Sequence, residues 1–227
     1  METAEFNTLL STCKEFSDLH PGLVYIGGIA VYLHAINSKS ARQLAEFTHD
    51  ADFYISMADM SDLRTTEELT ANRRLNKHQL VKSGFEFDIY TERQSSLIVP
   101  FDQVSAHAID YDGIRVACPE HLLALKLEAY RDRRASSKGD KDARDIARLA
   151  VIAHNGAPFD ANRCAPFLSE EHVDLLETVQ RSPAMAALAK GNAVEAKRIR
   201  LCLQPLLDDI KQNFDPNSRP RPRGRGR

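Results

Sequence analysis

A chain of 227 residues is long enough for one large or two small domains with a substantial buried core. Its formal net charge of −2 and its 43% hydrophobic content are those of an ordinary soluble globular protein, and they exclude a bulk-charge signal for nucleic acid. No apolar run approaches the roughly 18 residues of a membrane span, and the N-terminus lacks the apolar core of a signal peptide. Cys13, Cys118, Cys164 and Cys202 are widely spaced and form no C-x-x-C pair, which argues against a zinc site or a compact disulfide framework. Reduced thiols in a cytoplasmic protein without a membrane partner are the expectation.

Phe6, Leu9, Leu10, Cys13 and Phe16 recur at helical spacing and predict an amphipathic helix over 3–19, ended by His20-Pro21-Gly22. Leu23 to Ile26 is a short, continuously apolar run of the kind that forms a buried strand, followed at once by Gly27-Gly28 and then a helix over 29–36. A glycine pair between strand and helix serves either as a tight turn or as a place where bare backbone amides approach a phosphate.

Residues 37–47 are polar and read as loop or short helix. They lead into Thr48-His49-Asp50-Ala51-Asp52-Phe53-Tyr54-Ile55. If this stretch is extended, its period of two puts Asp50 and Asp52 on one face, either as solvated acids at a strand's mouth or as ligands of a shared cation. His49 reads as structural. A charged loop and helix are expected over 58–73. Two strands come next, 78–81 and 85–90, joined at Lys82-Ser83-Gly84, and the second carries a third acid, Asp88, on its polar face. Residues 97–101 read as a further strand, and Asp112-Gly113 marks a hairpin between 108–111 and 114–117.

From Cys118-Pro119-Glu120 onward the pattern is helical, with Pro119 at a first helical position. Helices are predicted over 119–134 and 141–153, separated by a charged loop at 131–140. Lys126 and Asp142 point into apolar surroundings from these neighbouring helices, as a structural ion pair or as two groups facing a polar ligand. Pro158, Pro166 and Pro183 punctuate the C-terminal third of the chain, Ser169 is a candidate N-cap, and helices over 184–214 are interrupted at Gly191-Asn192. The last nine residues hold five arginines and no large apolar residue, so they are expected to be disordered and able to attract polyanions.

Taken in order, these pieces carry a family resemblance. Tyr25-Ile26-Gly27-Gly28-Ile29-Ala30, Thr48-His49-Asp50-Ala51-Asp52-Phe53, Phe87-Asp88-Ile89, Leu123-Ala124-Leu125-Lys126-Leu127 and Lys141-Asp142-Ala143-Arg144-Asp145-Ile146 resemble the successive motifs of the AbiEii-like abortive-infection and toxin–antitoxin nucleotidyltransferases, within the DNA polymerase β-type superfamily. The resemblance spans residues 23–150. It implies an α+β fold with a polymerase-β-like nucleotidyltransferase core at 1–117, a mixed sheet flanked by helices. A helical domain at 118–214 would complete the nucleotide pocket, and 215–227 would be a disordered tail.

The resemblance also implies an activity: Mg²⁺-dependent transfer of a nucleoside monophosphate from an NTP to RNA, such as a tRNA 3′ end, or to a protein, with Mn²⁺ as an alternative ion. Gly27 and Gly28 would hold the phosphates, and Asp50, Asp52 and Asp88 the metal. Asp88 would also take the acceptor's proton, and Lys126 and Asp142 would line the nucleotide pocket. An arginine expected just before the acidic motif is displaced to Arg42. A cognate antitoxin would be a partner. The competing expectation is a non-catalytic relative that binds nucleotide, RNA or a partner protein through the same cleft and the basic tail.

Overall fold

The computed structural model describes residues 2–72, 77–93, 97–155 and 159–215, and the arginine-rich tail and Pro158 lie outside them. The chain divides into two compact units, one comprising residues 1–33 and 46–118, the other residues 34–45 and 119–227. Segment 34–45 thus belongs with the C-terminal helices rather than with the N-terminal core. Arg148 Nε donates to the Leu44 carbonyl at 2.5 Å and Arg198 Nη2 to that of Ser40 at 3.4 Å, which ties the segment there.

The first unit is built on a seven-stranded mixed sheet. Its strands are β1 (Val24–Tyr25), β2 (Asp50–Ile55), β3 (Thr70–Asn72), β4 (Lys77–Lys82), β5 (Phe85–Thr91), β6 (Ile109–Tyr111) and β7 (Ile114–Val116), in the spatial order β3-β4-β5-β2-β1-β7-β6. The pairs β2–β5 and β1–β7 are parallel and the others antiparallel. Four helices belong with it: α1 (Thr3–Leu19), the start of α2 (Gly28–Asn37), α3 (Met57–Thr66) and α4 (Phe101–Ala106). The α+β class expected from sequence is the class observed.

Alternation along β2 and β5 sorts the sheet into two faces. Ala51, Phe53, Phe87 and Ile89 are fully buried and share one side. Helix α1 covers that side: the Phe16 ring lies 5.1 Å from that of Phe87 and 6.1 Å from that of Phe53, and Phe53 in turn meets Tyr25 edge-on at 5.8 Å. Tyr25 Oη donates to the Cys13 carbonyl at 2.9 Å, which anchors α1 to β1. Tyr54 lies on the opposite face, stacked edge-on against Tyr90 and Phe101 and hydrogen-bonded to the Val99 carbonyl at 3.1 Å. The segment around α4 therefore covers the C-terminal ends of β2 and β5 on that face and leaves their N-terminal ends to the acids.

Both hairpins form where expected. Ser83-Gly84 and Asp112-Gly113 each carry two successive positive φ values, of 55° and 81° and of 54° and 86°, the backbone of a two-residue hairpin turn. Residues 97–101 are not a strand. Pro100 has the extended conformation of an N-cap, and Phe101 opens α4 with Asp102 in its first turn. Strand β3 lies within the segment expected to be loop and helix, and its pairing with β4 is what makes it a strand.

The second unit contains α5 (Pro119–Arg133), α6 (Ser137–Asn155), α7 (Glu170–Arg181), α8 (Ala184–Leu188) and α9 (Ala193–Asn213), with short 3-10 turns at Ala161–Arg163 and Ala165–Phe167. Helix α6 packs against α5, α7, α8 and α9, and Ile146, Leu149 and Ala150 are fully buried along it. It begins at Ser137, so the loop expected over 131–140 is much shorter. Ser169 caps α7 in a reciprocal box with His172, and the Asn192 side chain caps α9 by accepting from Val194 N and Glu195 N, just after Gly191 at φ 79°. No helix among the described residues is long and apolar enough to cross a membrane.

All four cysteines are buried, and among the described residues none is joined in a disulfide. Burial pushes the Cys13 thiol up from 9.0 to about 12, and burial drives the Tyr25 phenol well above its ordinary value. The folded state therefore holds the Cys13 proton where the unfolded chain releases it. The associated stability is complete below pH 9.0 and is lost as pH rises toward about 12. Denaturant titrations from pH 8 upward should show stability declining through this window, and Cys13→Ala should flatten the decline.

Candidate functional site

Asp50 and Asp52 open β2 and project from the same side of the sheet, opposite the phenylalanine face. Because β2 and β5 are parallel and in register, Asp52 stands beside Asp88 and Asp50 beside Glu86. Four carboxylates from two adjacent strands thus share one face. Asp50, Asp52 and Asp88 are partly buried, while Glu86 is exposed.

The glycine pair meets this face directly. Ile26 N donates to the Asp52 carbonyl at 2.9 Å, extending the β1–β2 ladder up to Gly27. Gly27 then accepts from Val31 N at 3.3 Å and so serves as the N-cap of α2. A Cβ on Gly27 would fall 1.9 Å from Asp52 Oδ2, so the carboxylate occupies the space a side chain would take. At Gly28 a Cβ would lie 2.7 Å from Thr48 Oγ1 and 2.9 Å from its Cβ. Both positions need glycine for close approach. The negative charge at the mouth of α2 also sits favourably in the field of the helix N-terminus.

Thr48 has a second contact. It is 1% exposed, and its hydroxyl donates to Asp50 Oδ1 at 2.7 Å, which fixes the rotamer of the first acid. His49, in the bend just before β2, is exposed rather than packed. Arg42 is also exposed, with Nε donating to the Ile36 carbonyl at 2.9 Å.

Asp88 is engaged by the next strand. Lys77 pairs with its Oδ2, and Gln79 Nε2 donates to its Oδ1 at 2.8 Å while also reaching Glu86. Gln79 is the register partner of Asp88, and Lys77 lies two residues along the same face. In the sequence Glu86 stands out only as part of the alternation, Thr48 opens the acidic motif without a role of its own, and Lys77 and Gln79 belong to no reading of the site. The signal available for Gln79 and Lys77 is their parity with Asp88 across the predicted hairpin.

Carboxylates are the ligands that Mg²⁺ takes, and it is commonly held by one or two of them together with substrate phosphates and water rather than by a complete protein cage. Asp50 and Asp52 fit that role. Asp88 fits it only on giving up its lysine. Among the described residues no three His, Cys, Asp or Glu side chains are gathered within metal-ligating reach.

Lys126 and Asp142 lie in the second unit, on α5 and α6, in a buried ionic network. Lys126 Nζ is 3.3 Å from Asp142 Oδ1 and 2.7 Å from Asp145 Oδ2. Arg133 approaches Asp142 through Nε at 2.7 Å and Nη2 at 3.0 Å, and Arg148 pairs with Asp145. Asp142, Asp145 and Arg148 are 1–2% exposed. In such a network the removal of one member strands a buried charge.

No protein-family model matches the chain, and no curated protein matches it. Among solved structures it is similar to an antigenic nucleotidyltransferase-like protein from Paracoccidioides brasiliensis, at 19% identity and a TM-score of 0.48, over 84% of this chain and 94% of that one. It is also similar to JHP933 from Helicobacter pylori, at 14% identity and a TM-score of 0.47, over 94% of each chain.

The contact between Gly27 and the Asp52 carboxylate can be tested by adding one methyl group. Gly27→Ala should lower the unfolding free energy by about 1–3 kcal/mol, the usual cost of overpacking. A denaturation curve that superimposes on the wild type would mean that the carboxylate turns aside freely.

Proposed function

We propose that the protein is a nucleotidyltransferase that moves a nucleoside monophosphate from an NTP to an acceptor hydroxyl on RNA or protein. The observation that carries this reading is the Asp52 carboxylate seated against Gly27 at the N-terminus of α2, with Asp50 on the same face. That arrangement puts acids able to hold a divalent cation next to backbone amides able to bind phosphate.

On this reading the first-turn amides of α2 and the side-chain-free surface of Gly27 and Gly28 bind the triphosphate. Asp50, fixed by Thr48, and Asp52 hold Mg²⁺, with Mn²⁺ as a substitute. The ion, when bound, neutralises phosphate charge and stabilises the departing pyrophosphate. Asp88, one strand away from Asp52, accepts the proton of the attacking hydroxyl at its carboxylate. Lys126 and Asp142 serve in the ionic network that fixes α5 against α6.

Purified protein supplied with each labelled NTP, total RNA and total protein should label one fraction in a metal-dependent way. Asp50→Ala and Asp52→Ala should each reduce labelling to background, and full labelling in both variants would sink the assignment. The resemblance of the motifs extends the reading to a toxin restrained by a cognate antitoxin. That role predicts that induced wild type, but not Asp52→Ala, arrests growth of a bacterial host.

A binding-only function has one observation in its favour. A groove between α7 and α9 is lined by Gln180, Arg181, Lys197, Arg200, Leu201 and Gln204, and Lys197 and Arg200 have no carboxylate partner among the described residues. Such cations suit the phosphates of RNA. This reading predicts nucleotide and salt-sensitive RNA binding without label transfer in the same assay.

A further inference from the structure

The acid-bearing face contains more negative charge than two strands hold comfortably. Asp50 stands in register with Glu86, and Asp52 with Asp88. Like charges directly opposite on neighbouring strands repel, so the face needs a counter-charge. β4 contributes one from outside the motifs. Lys77 forms its ion pair with Asp88 while the two side chains are only 10% and 15% exposed, and the Gln79 amide bridges Glu86 and Asp88 beside it. Asp88 is therefore held on both oxygens, by an ammonium group and by an amide.

We propose that Lys77 is a positioning residue that sets the divalent-cation affinity of this face, because a metal ion that takes Asp88 must displace a tethered ammonium group. The inference rests on the metal reading of Asp50 and Asp52 and deepens it. A lysine this sheltered is screened by water far less than a surface lysine, so its competition with an incoming cation is substantial. Its effect is opposite to that of a ligand. Loss of Lys77 leaves the face more negative and Asp88 without its competitor, so metal binding tightens. A lysine with a purely structural role predicts lower stability and unchanged metal affinity.

The test is a Mn²⁺ titration of the full chain, followed by the paramagnetic resonance of the free ion, for the wild type, Lys77→Met and the double variant Lys77→Met with Asp88→Asn. Lys77→Met should lower the Mn²⁺ dissociation constant by about tenfold, on the scale of a close, partly buried charge pair. Adding Asp88→Asn should remove that gain. Equal or weaker Mn²⁺ binding by Lys77→Met overturns the proposal. Should the methionine variant not fold by circular dichroism, Lys77→Gln, which keeps a donor and removes the charge, takes its place with the same expected direction. Asp50→Ala in the wild-type background is the separate check on the metal reading. If it leaves Mn²⁺ binding intact that reading fails, while the comparison at Lys77 still reports whether this lysine controls whatever ion binds.

Discussion

The arrangement of the N-terminal unit turns on a steric fact: there is no room for a side chain at Gly27, because the Asp52 carboxylate is already there. Antiparallel pairing of β1 with β2 carries the end of β1 to Asp52, and the ladder bond from Ile26 N to the Asp52 carbonyl leaves the next residue against the acid's side chain. Only a residue without Cβ lets the chain turn there into α2. The same limit acts one residue later, where Thr48 presses on Gly28 and at the same time bonds to Asp50. Two glycines, a threonine and two aspartates therefore form a single packing unit, and helix start, strand start and acid rotamers are set together.

The sheet behind that unit separates structural from chemical work by parity. Phe53, Phe87 and Tyr25 face α1 and build an aromatic core, while Asp50, Asp52, Glu86 and Asp88 face the other way. The acids thus stand on a rigid support whose stability comes from residues that never touch them. In the helical unit charge is used differently. Lys126, Asp142, Asp145 and Arg148 are withdrawn from water and held in ion pairs with one another, and Arg148 also reaches the Leu44 carbonyl. Buried groups of this kind constrain how helices fit together more than they add net stability.

Much of this was legible in the sequence where the deciding forces are local. The amphipathic spacing of Phe6, Leu9, Cys13 and Phe16, the two hairpin turns, the Ser169 cap, the helix break at Gly191-Asn192 and the shared face of Asp50 and Asp52 all follow from short-range geometry. Local rules failed where context decides. Leu97, Ile98 and Val99 have strand-like side chains, but Pro100 caps a helix, and Thr70 to Asn72 became a strand only by pairing with β4. The Ser137 to Asp140 segment looked like a charged loop because its polar residues concealed the first turn of α6. At the candidate site the acids were readable one by one. Their neighbours were not, because the clamp of Thr48 on Asp50 and the hold of Lys77 and Gln79 on Asp88 depend on rotamers and on strand order.

Parallel pairing of β2 with β5 has a consequence for how the acidic face can vary. Asp52 and Asp88 are brought together by strand phase alone, with α3, β3 and β4 forming the excursion between them. That excursion can lengthen or shorten without disturbing the pair, provided β5 re-enters in the same phase. A slip of one position would put Phe87 or Ile89 beside Asp52 and send Asp88 into the aromatic core beneath α1. The face therefore behaves like a reading frame, tolerant of inserted loops and intolerant of a single-residue shift within the strand.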